Sequence, residues 1–130
     1  LAAKSGIEVR VITPGIADKK TVKLMTESHY GPLLAAGVRI YEYTPGFVHA
    51  KLCSNEFCAV IGTINMDFRS FFLHYENGVF LPEGEVLNDI SMDFEATLLQ
   101  CREVTYEEWK KYPFFKKVIQ ELLYLVKCQF

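Results

Sequence analysis

The sequence predicts an α/β fold, a mixed β-sheet with helices on both faces, from three observations. Residues 1–43 run helix, strand, helix, strand, an order that favours parallel strand pairing. Several short runs alternate apolar and polar side chains with a period of two. Two later stretches, 84–101 and 113–126, repeat apolar residues every three to four positions. With 130 residues, half of them apolar, the chain has enough material for one compact core.

Each element follows from local chemistry. The opening LAAKSG reads as the last turn of a helix ending at Gly6, and so as the start of a piece cut from a longer protein. Residues 7–12 form a strand with Ile7, Val9 and Val11 on one face. Pro14 and Gly15 end it. Asp18 is the expected N-cap of a helix over 19–36, bent near Gly31-Pro32 and stopped by Gly37. Residues 38–43 make a second strand. Residues 48–54 and 57–62 read as a hairpin around Asn55-Glu56. A helical turn over 66–72 and a strand over 74–81, with Gly78 inside it, come next. The helix over 84–101 places Leu87, Ile90, Phe94, Thr97 and Leu98 on one side. Thr105 and Glu108 form a capping box. Pro113 opens a last helix with the stripe Phe115, Val118, Ile119, Leu122, Leu123 and Val126. No repeat or low-complexity segment is present. Residues 111–130 read as a terminal helix, packed on the domain or lying on a membrane surface.

Composition excludes some functions. A net charge of -2 argues against a nucleic-acid partner, since phosphate backbones call for a basic surface. Cys53, Cys58, Cys101 and Cys128 show no metal or disulfide spacing and read as buried free thiols of a reducing compartment. His29, His49 and His74 fit no common ligand pattern with them, so no metal is expected. There is no signal-peptide pattern and no apolar run long enough to span a bilayer.

The chemistry concentrates in residues 49–65, HAKLCSNEFCAVIGTIN. His49 and Lys51 stand two apart, on one face of an extended segment. Thr63 and Asn65, again two apart, converge on them from the next strand. An imidazole, an ammonium, a hydroxyl and a carboxamide suit a phosphoryl group. A nucleophilic His49 needs a neutral attacking nitrogen, and an acceptor on its other nitrogen would hold the ring; Glu76 is the candidate acceptor.

The pattern His-x-Lys, an acidic residue five beyond the Lys, then Gly-(Ser/Thr)-x-Asn resembles the signature of the phospholipase D superfamily. The string GTINMDFRSFFLHYENGVF over 62–80 is similar to bacterial cardiolipin synthases, as is GVRIYEYTPGFVHAK over 37–51. The resemblance extends through PGIADKK and the 30–34 segment, and covers the chain to about residue 110. It implies one C-terminal half-unit of a two-half catalytic fold, lacking its N-terminal start. It implies phosphatidyl transfer between two phosphatidylglycerol molecules, giving cardiolipin and glycerol through a phosphohistidine, without metal or cofactor. His49 is then the catalytic histidine of its half. Lys51 and Asn65 bind phosphate, Thr63 stands at the small hydroxyl position, and Glu76 at the acidic position that orients the histidine. The partners implied are phospholipids, a membrane reached through the parent protein, and the N-terminal half of the same enzyme or a homodimer mate. The parent is expected at the bacterial cytoplasmic membrane, the fragment itself to be soluble and inactive alone.

One position departs from the family. Where the family has Asp and six residues before the Gly, this chain has Glu56 and five residues before Gly62. Glu56 falls at the hairpin turn, and a structural role is expected. Other readings remain open. Asn65 caps the following turn, or Glu76 pairs with Arg69. Arg69 and Ser70 assist the headgroup, or serve only the fold. Tyr41, Tyr43, Phe47, Phe68, Phe71 and Phe72 line an acyl channel or a core. The whole is a transferase, a phospholipase D-type hydrolase, or a non-catalytic half.

Overall fold

The structure, a computed structural model, describes residues 1–125. After a single 3₁₀ turn at Ala3–Ser5 the elements are β1 (Arg10–Pro14), α1 (Lys20–Ser28), α2 (Tyr30–Ala35), β2 (Arg39–Tyr43), β3 (Leu52–Ser54), β4 (Cys58–Gly62), α3 (Phe68–Phe72), β5 (Gly78–Pro82), α4 (Glu85–Leu98), β6 (Cys101–Val104), α5 (Tyr106–Lys110) and α6 (Phe114–Leu125). The class is α/β, as the alternation of elements predicts. The strands form two three-stranded sheets, in the orders β1-β2-β6 and β3-β4-β5. The described residues fall into two compact units. The first holds Leu1–Val48 with the residues from Gln100 on, and the second holds His49–Leu99.

In the first unit β1 and β2 pair in parallel, Arg10 opposite Arg39 through Pro14 opposite Tyr43. Pro14 is tolerated because β1 is an edge strand and needs no ladder donor there. The strand β6 was not expected: residues 101–104 read as helix end and loop. Its sequence, CREV, lacks apolar alternation, but Val104 is 1 % exposed and the strand pairs antiparallel with β2. Charge does the matching. Arg102 lies opposite Glu42 and reaches its carboxylate at 2.8 Å, while Arg39 binds Glu103 through two donors. Tyr30, Val38, Ile40 and Val104 form the core, with Val9, Val11, Leu34 and Trp109 packed against it.

The helix expected over 19–36 is two helices. The break falls at His29, three residues before Pro32, and α1 ends at Ser28. A proline ring excludes the carbonyl four residues earlier, here Ser28, so the interruption lies upstream of the Gly31-Pro32 bend predicted for it. Asp18 is not the cap either. Lys19 holds that position in extended conformation with no side-chain bond, and Asp18 lies one residue outside. Gly6 and Gly37, at φ of 86° and 89°, end their turns in the left-handed region as expected. The Thr105–Glu108 capping box opens α5.

The terminal helix α6 lies on α1 through a polar contact. Glu27, 5 % exposed, receives Lys116 at 2.6 Å and Gln120 at 3.4 Å. Of the predicted stripe, Ile119 and Leu123 are half-buried, while Phe115, Val118 and Leu122 are exposed. Val126 lies outside the described residues. Among the described residues no helix is long and apolar enough to cross a membrane.

In the second unit β3, β4 and β5 form an antiparallel meander. Gly78 starts β5 rather than lying inside a strand, and β5 runs to Pro82. The helix α4 turns Leu87, Ile90, Phe94, Thr97 and Leu98 to its less exposed side, the predicted set. The aromatic group divides. Tyr41 is buried and Tyr43 half-buried in the first sheet, whereas Phe68, Phe71 and Phe72 are exposed on α3. Cys53, Cys58 and Cys101 are free thiols, but Cys53 is exposed and the other two are half-buried, not buried as expected. Cys128 lies outside the described residues.

Candidate active site

Antiparallel pairing in the second unit assembles the site. Beyond the β3–β4 ladder, the Gly62 amide donates to the Lys51 carbonyl at 3.2 Å, which sets Lys51 beside Gly62 and Thr63. On the other side Gly62 pairs with Gly78, and the Thr63 amide donates to the Asn77 carbonyl at 2.8 Å. That places Glu76 behind Thr63. The crossing needs a glycine: a Cβ on Gly62 would stand 2.1 Å from the Asn77 carbonyl oxygen.

His49 and Lys51 lie on the extended approach to β3 rather than within it, and their side chains meet. The Lys51 ammonium donates to His49 Nε2 at 2.8 Å and to the His49 carbonyl at 2.9 Å. An ammonium has only donors, so the nitrogen it meets carries a lone pair and the ring proton belongs on Nδ1. The structure thus presents His49 with Nε2 unprotonated. A cleft of about 200 Å³ opens here, lined by His49, Lys51, Gly62, Thr63 and Asn65. Four of the five are residues that the sequence singles out.

The two remaining candidates lie off the cleft. Glu56 is exposed in the turn between β3 and β4. Asn55 closes that turn, its side-chain oxygen accepting the Phe57 and Cys58 amides, each at 2.9 Å. Glu76, with its side chain 14 % exposed, sits behind the Thr63 wall. One carboxylate oxygen accepts the Thr63 hydroxyl at 2.5 Å and the other accepts Ser70 at 2.9 Å; His74 Nδ1 stands 3.7 Å away. The hydroxyl donors of Thr63 and then Ser70 hold the Glu76 carboxyl below its ordinary range, with His74 adding to the effect. Arg69 contacts His74 at 3.2 Å rather than Glu76.

This pairing redefines Thr63. Its hydroxyl proton goes to Glu76 and its oxygen accepts the Asn77 amide at 3.0 Å, so it lines the cleft without a proton to offer a ligand. Ser70, which the sequence suggests as a headgroup contact, is buried behind the site at 6 % exposure. The turn after Asn65 is capped by Asp67, whose side chain accepts the Ser70 amide at 2.7 Å. Asn65 is therefore not the cap, and the Asn65 backbone amide donates to the Ser70 hydroxyl at 3.2 Å. Lys51 and Asn65, whose side chains carry N–H donors, also line the cleft.

A larger cavity, about 260 Å³, occupies the first unit among Lys20, Lys23, Glu27 and Lys116. Two of its lysines are engaged, Lys23 with Glu42 and the Gly15 carbonyl, Lys116 with Glu27, and its lining includes no histidine, serine, threonine or cysteine. The residues that the sequence singles out line the smaller cleft.

A family model described as "Cardiolipin synthase, PLD-like domain" matches residues 1–98. Over 127 residues, 97% of this chain and 25% of the other, the sequence is 39% identical to "Cardiolipin synthase 1" of Bacillus anthracis. It is 36% identical to "Cardiolipin synthase" of Clostridium perfringens over 128 residues, 97% of this chain and 27% of the other. An uncharacterized protein of Streptococcus mutans is 43% identical over 126 residues, again 27% of its own length. The chain spans about a quarter of the length of these curated relatives.

Proposed function

The chain belongs to the cardiolipin synthase family of phospholipase D-like domains, and from that premise we propose that it is one catalytic half of a phosphatidyltransferase. The parent enzyme joins two phosphatidylglycerol molecules into cardiolipin and releases glycerol. The observation that carries this reading is the His49–Lys51 contact, 2.8 Å from Nζ to Nε2, at the mouth of the cleft.

The chemistry divides between two histidines, one from each half. One attacks phosphorus through its unprotonated nitrogen. The other protonates the departing glycerol oxygen, and a phosphatidyl-histidine results. The terminal hydroxyl of a second phosphatidylglycerol then attacks phosphorus, gives its proton to the second histidine, and frees the first. His49 suits either role. When phosphate enters, the Lys51 ammonium turns from Nε2 to a non-bridging oxygen, releasing the lone pair and neutralising charge as it develops. Asn65 donates to a further oxygen, and Glu76 fixes the Thr63 wall.

A single histidine cannot be both nucleophile and leaving-group acid at once, so this half needs another, from the rest of its protein or from a second copy. The exposed apolar side chains of the second unit support such a partner: Phe71, Phe72, Leu73, Val79 and Phe80 are each 56 % or more exposed. A lipid substrate places the assembled enzyme at the bacterial cytoplasmic membrane.

The test supplies radiolabelled phosphatidylglycerol in vesicles to the enzyme carrying both halves. Labelled cardiolipin with free glycerol supports transfer. Phosphatidic acid as the main product makes it a hydrolase, with water as acceptor. Absence of both products, in a folded protein, leaves a binding module.

A further inference from the structure

Ser70 is the one polar residue classed as buried among the described residues of the site-bearing unit. Nothing in the proposed chemistry uses it, and it does not line the cleft. Yet its hydroxyl is spent on residues of the site and its amide on the turn that follows Asn65. Its amide donates to Asp67 at 2.7 Å, which fixes the first turn of α3. Its hydroxyl accepts the Asn65 amide at 3.2 Å and donates to Glu76 at 2.9 Å. The second Glu76 oxygen takes the Thr63 hydroxyl. One carboxylate therefore grips two hydroxyls. Through them it holds the main chain of Asn65 and the side chain of Thr63, the two residues that face His49 and Lys51 across the cleft.

We infer that Ser70 is a positioning residue of this site: its hydroxyl ties the Asn65 backbone to Glu76 and so sets where the Asn65 carboxamide meets a phosphoryl oxygen. The inference rests on the phosphoryl-transfer reading of the cleft. The hydroxyl must accept and donate together, from Asn65 N–H to Ser70 to Glu76. Alanine breaks both links, leaving the Asn65 amide unpaired and releasing the carboxylate oxygen. Threonine keeps them. Cysteine keeps the shape but is a weak donor and a weak acceptor. Displacing a ligating group by about 1 Å costs on the order of 10²-fold in rate, so a residue that never touches substrate can still control turnover.

The experiment measures kcat and KM for phosphatidylglycerol in the enzyme carrying both halves, with Ser70→Ala, Ser70→Thr, Ser70→Cys and, as reference, His49→Ala. Loss of kcat by about 10- to 100-fold in Ser70→Ala, recovery to within about threefold in Ser70→Thr, and thermal midpoints near that of the unsubstituted enzyme are expected. Where Ser70→Ala fails to fold, Ser70→Cys takes its place, with the same loss expected. Unchanged kcat in the alanine or cysteine variant overturns the inference, as does a threonine variant that folds but is as slow as alanine. If His49→Ala keeps its activity, the phosphoryl-transfer reading fails and this inference with it. If His49→Ala is inactive and the Ser70 variants turn over normally, only the positioning role fails.

Discussion

The two units of this chain are built on opposite principles. The first has a core: Tyr30, Ile40 and Val104 are each 2 % exposed or less, and its buried carboxylate Glu42 is held by Arg102, Lys23 and Tyr30. The second has, among its described residues, only Ala59 and Ser70 classed as buried, while Phe57, Met66, Phe72, Val79 and Phe80 are exposed. It nevertheless carries the whole candidate site. Hydrophobic burial secures the first unit, at about 25 cal/mol per Å² of apolar surface. Ladder register and a small set of hydrogen bonds hold the second. The candidate site thus lies where the backbone and polar groups are specified and where apolar side chains are exposed.

That contrast can be broken from either side. The largest effect is expected from His49→Ala, at least about 10³-fold in transfer rate with an unchanged circular dichroism spectrum. A substantial residual rate would remove His49 from the chemistry. Ile40→Ala is expected to do the opposite. Deleting a core side chain that is 1 % exposed costs about 2–5 kcal/mol in denaturant unfolding. Activity per folded molecule should be retained, and a loss below about 1 kcal/mol would show that the first unit's core is not its anchor. Lys51→Met keeps length but removes the charge, and should lower kcat about 10²-fold while leaving stability within about 0.5 kcal/mol. A change confined to KM would limit Lys51 to ground-state binding. In the first unit, Thr105→Ala removes the capping box of α5 and should cost about 1 kcal/mol, read by thermal unfolding. Glu56→Gln is expected to change least, under about twofold in turnover, because Asn55 holds the turn. A loss approaching that of His49→Ala would make the motif's acidic position catalytic.

Much of the fold was legible where the causes are local. The Thr105–Glu108 cap, the left-handed Gly6 and Gly37, the face of α4 and the parallel β1–β2 pair all rest on residues a few positions apart or on a simple element order. The misses have causes that sequence periodicity does not carry. Pro32 moved the helix break upstream because a proline acts on the carbonyl four residues before it. The strand β6 carries its signal in charges, Arg102 and Glu103 matching Glu42 and Arg39 about 60 residues away. The α6 stripe divided because a buried carboxylate, Glu27, drew Lys116 and Gln120 inward and turned Phe115 and Leu122 out.

The same division holds for the site. Residue types and spacings alone determined that an imidazole and an ammonium share one face, because extended chains repeat every two residues. They also marked a hydroxyl and a carboxamide at the next strand's end. Only the tertiary structure decided what each group can offer. It showed that Lys51 leaves His49 Nε2 as an acceptor and that the Thr63 hydroxyl is already committed as a hydrogen-bond donor to the Glu76 carboxylate. It also gave Ser70 a place behind Asn65 rather than at the substrate. Those outcomes depend on which groups the β3–β4–β5 register brings within about 3 Å. A hydrogen bond exists only at that range, whatever the separation along the chain.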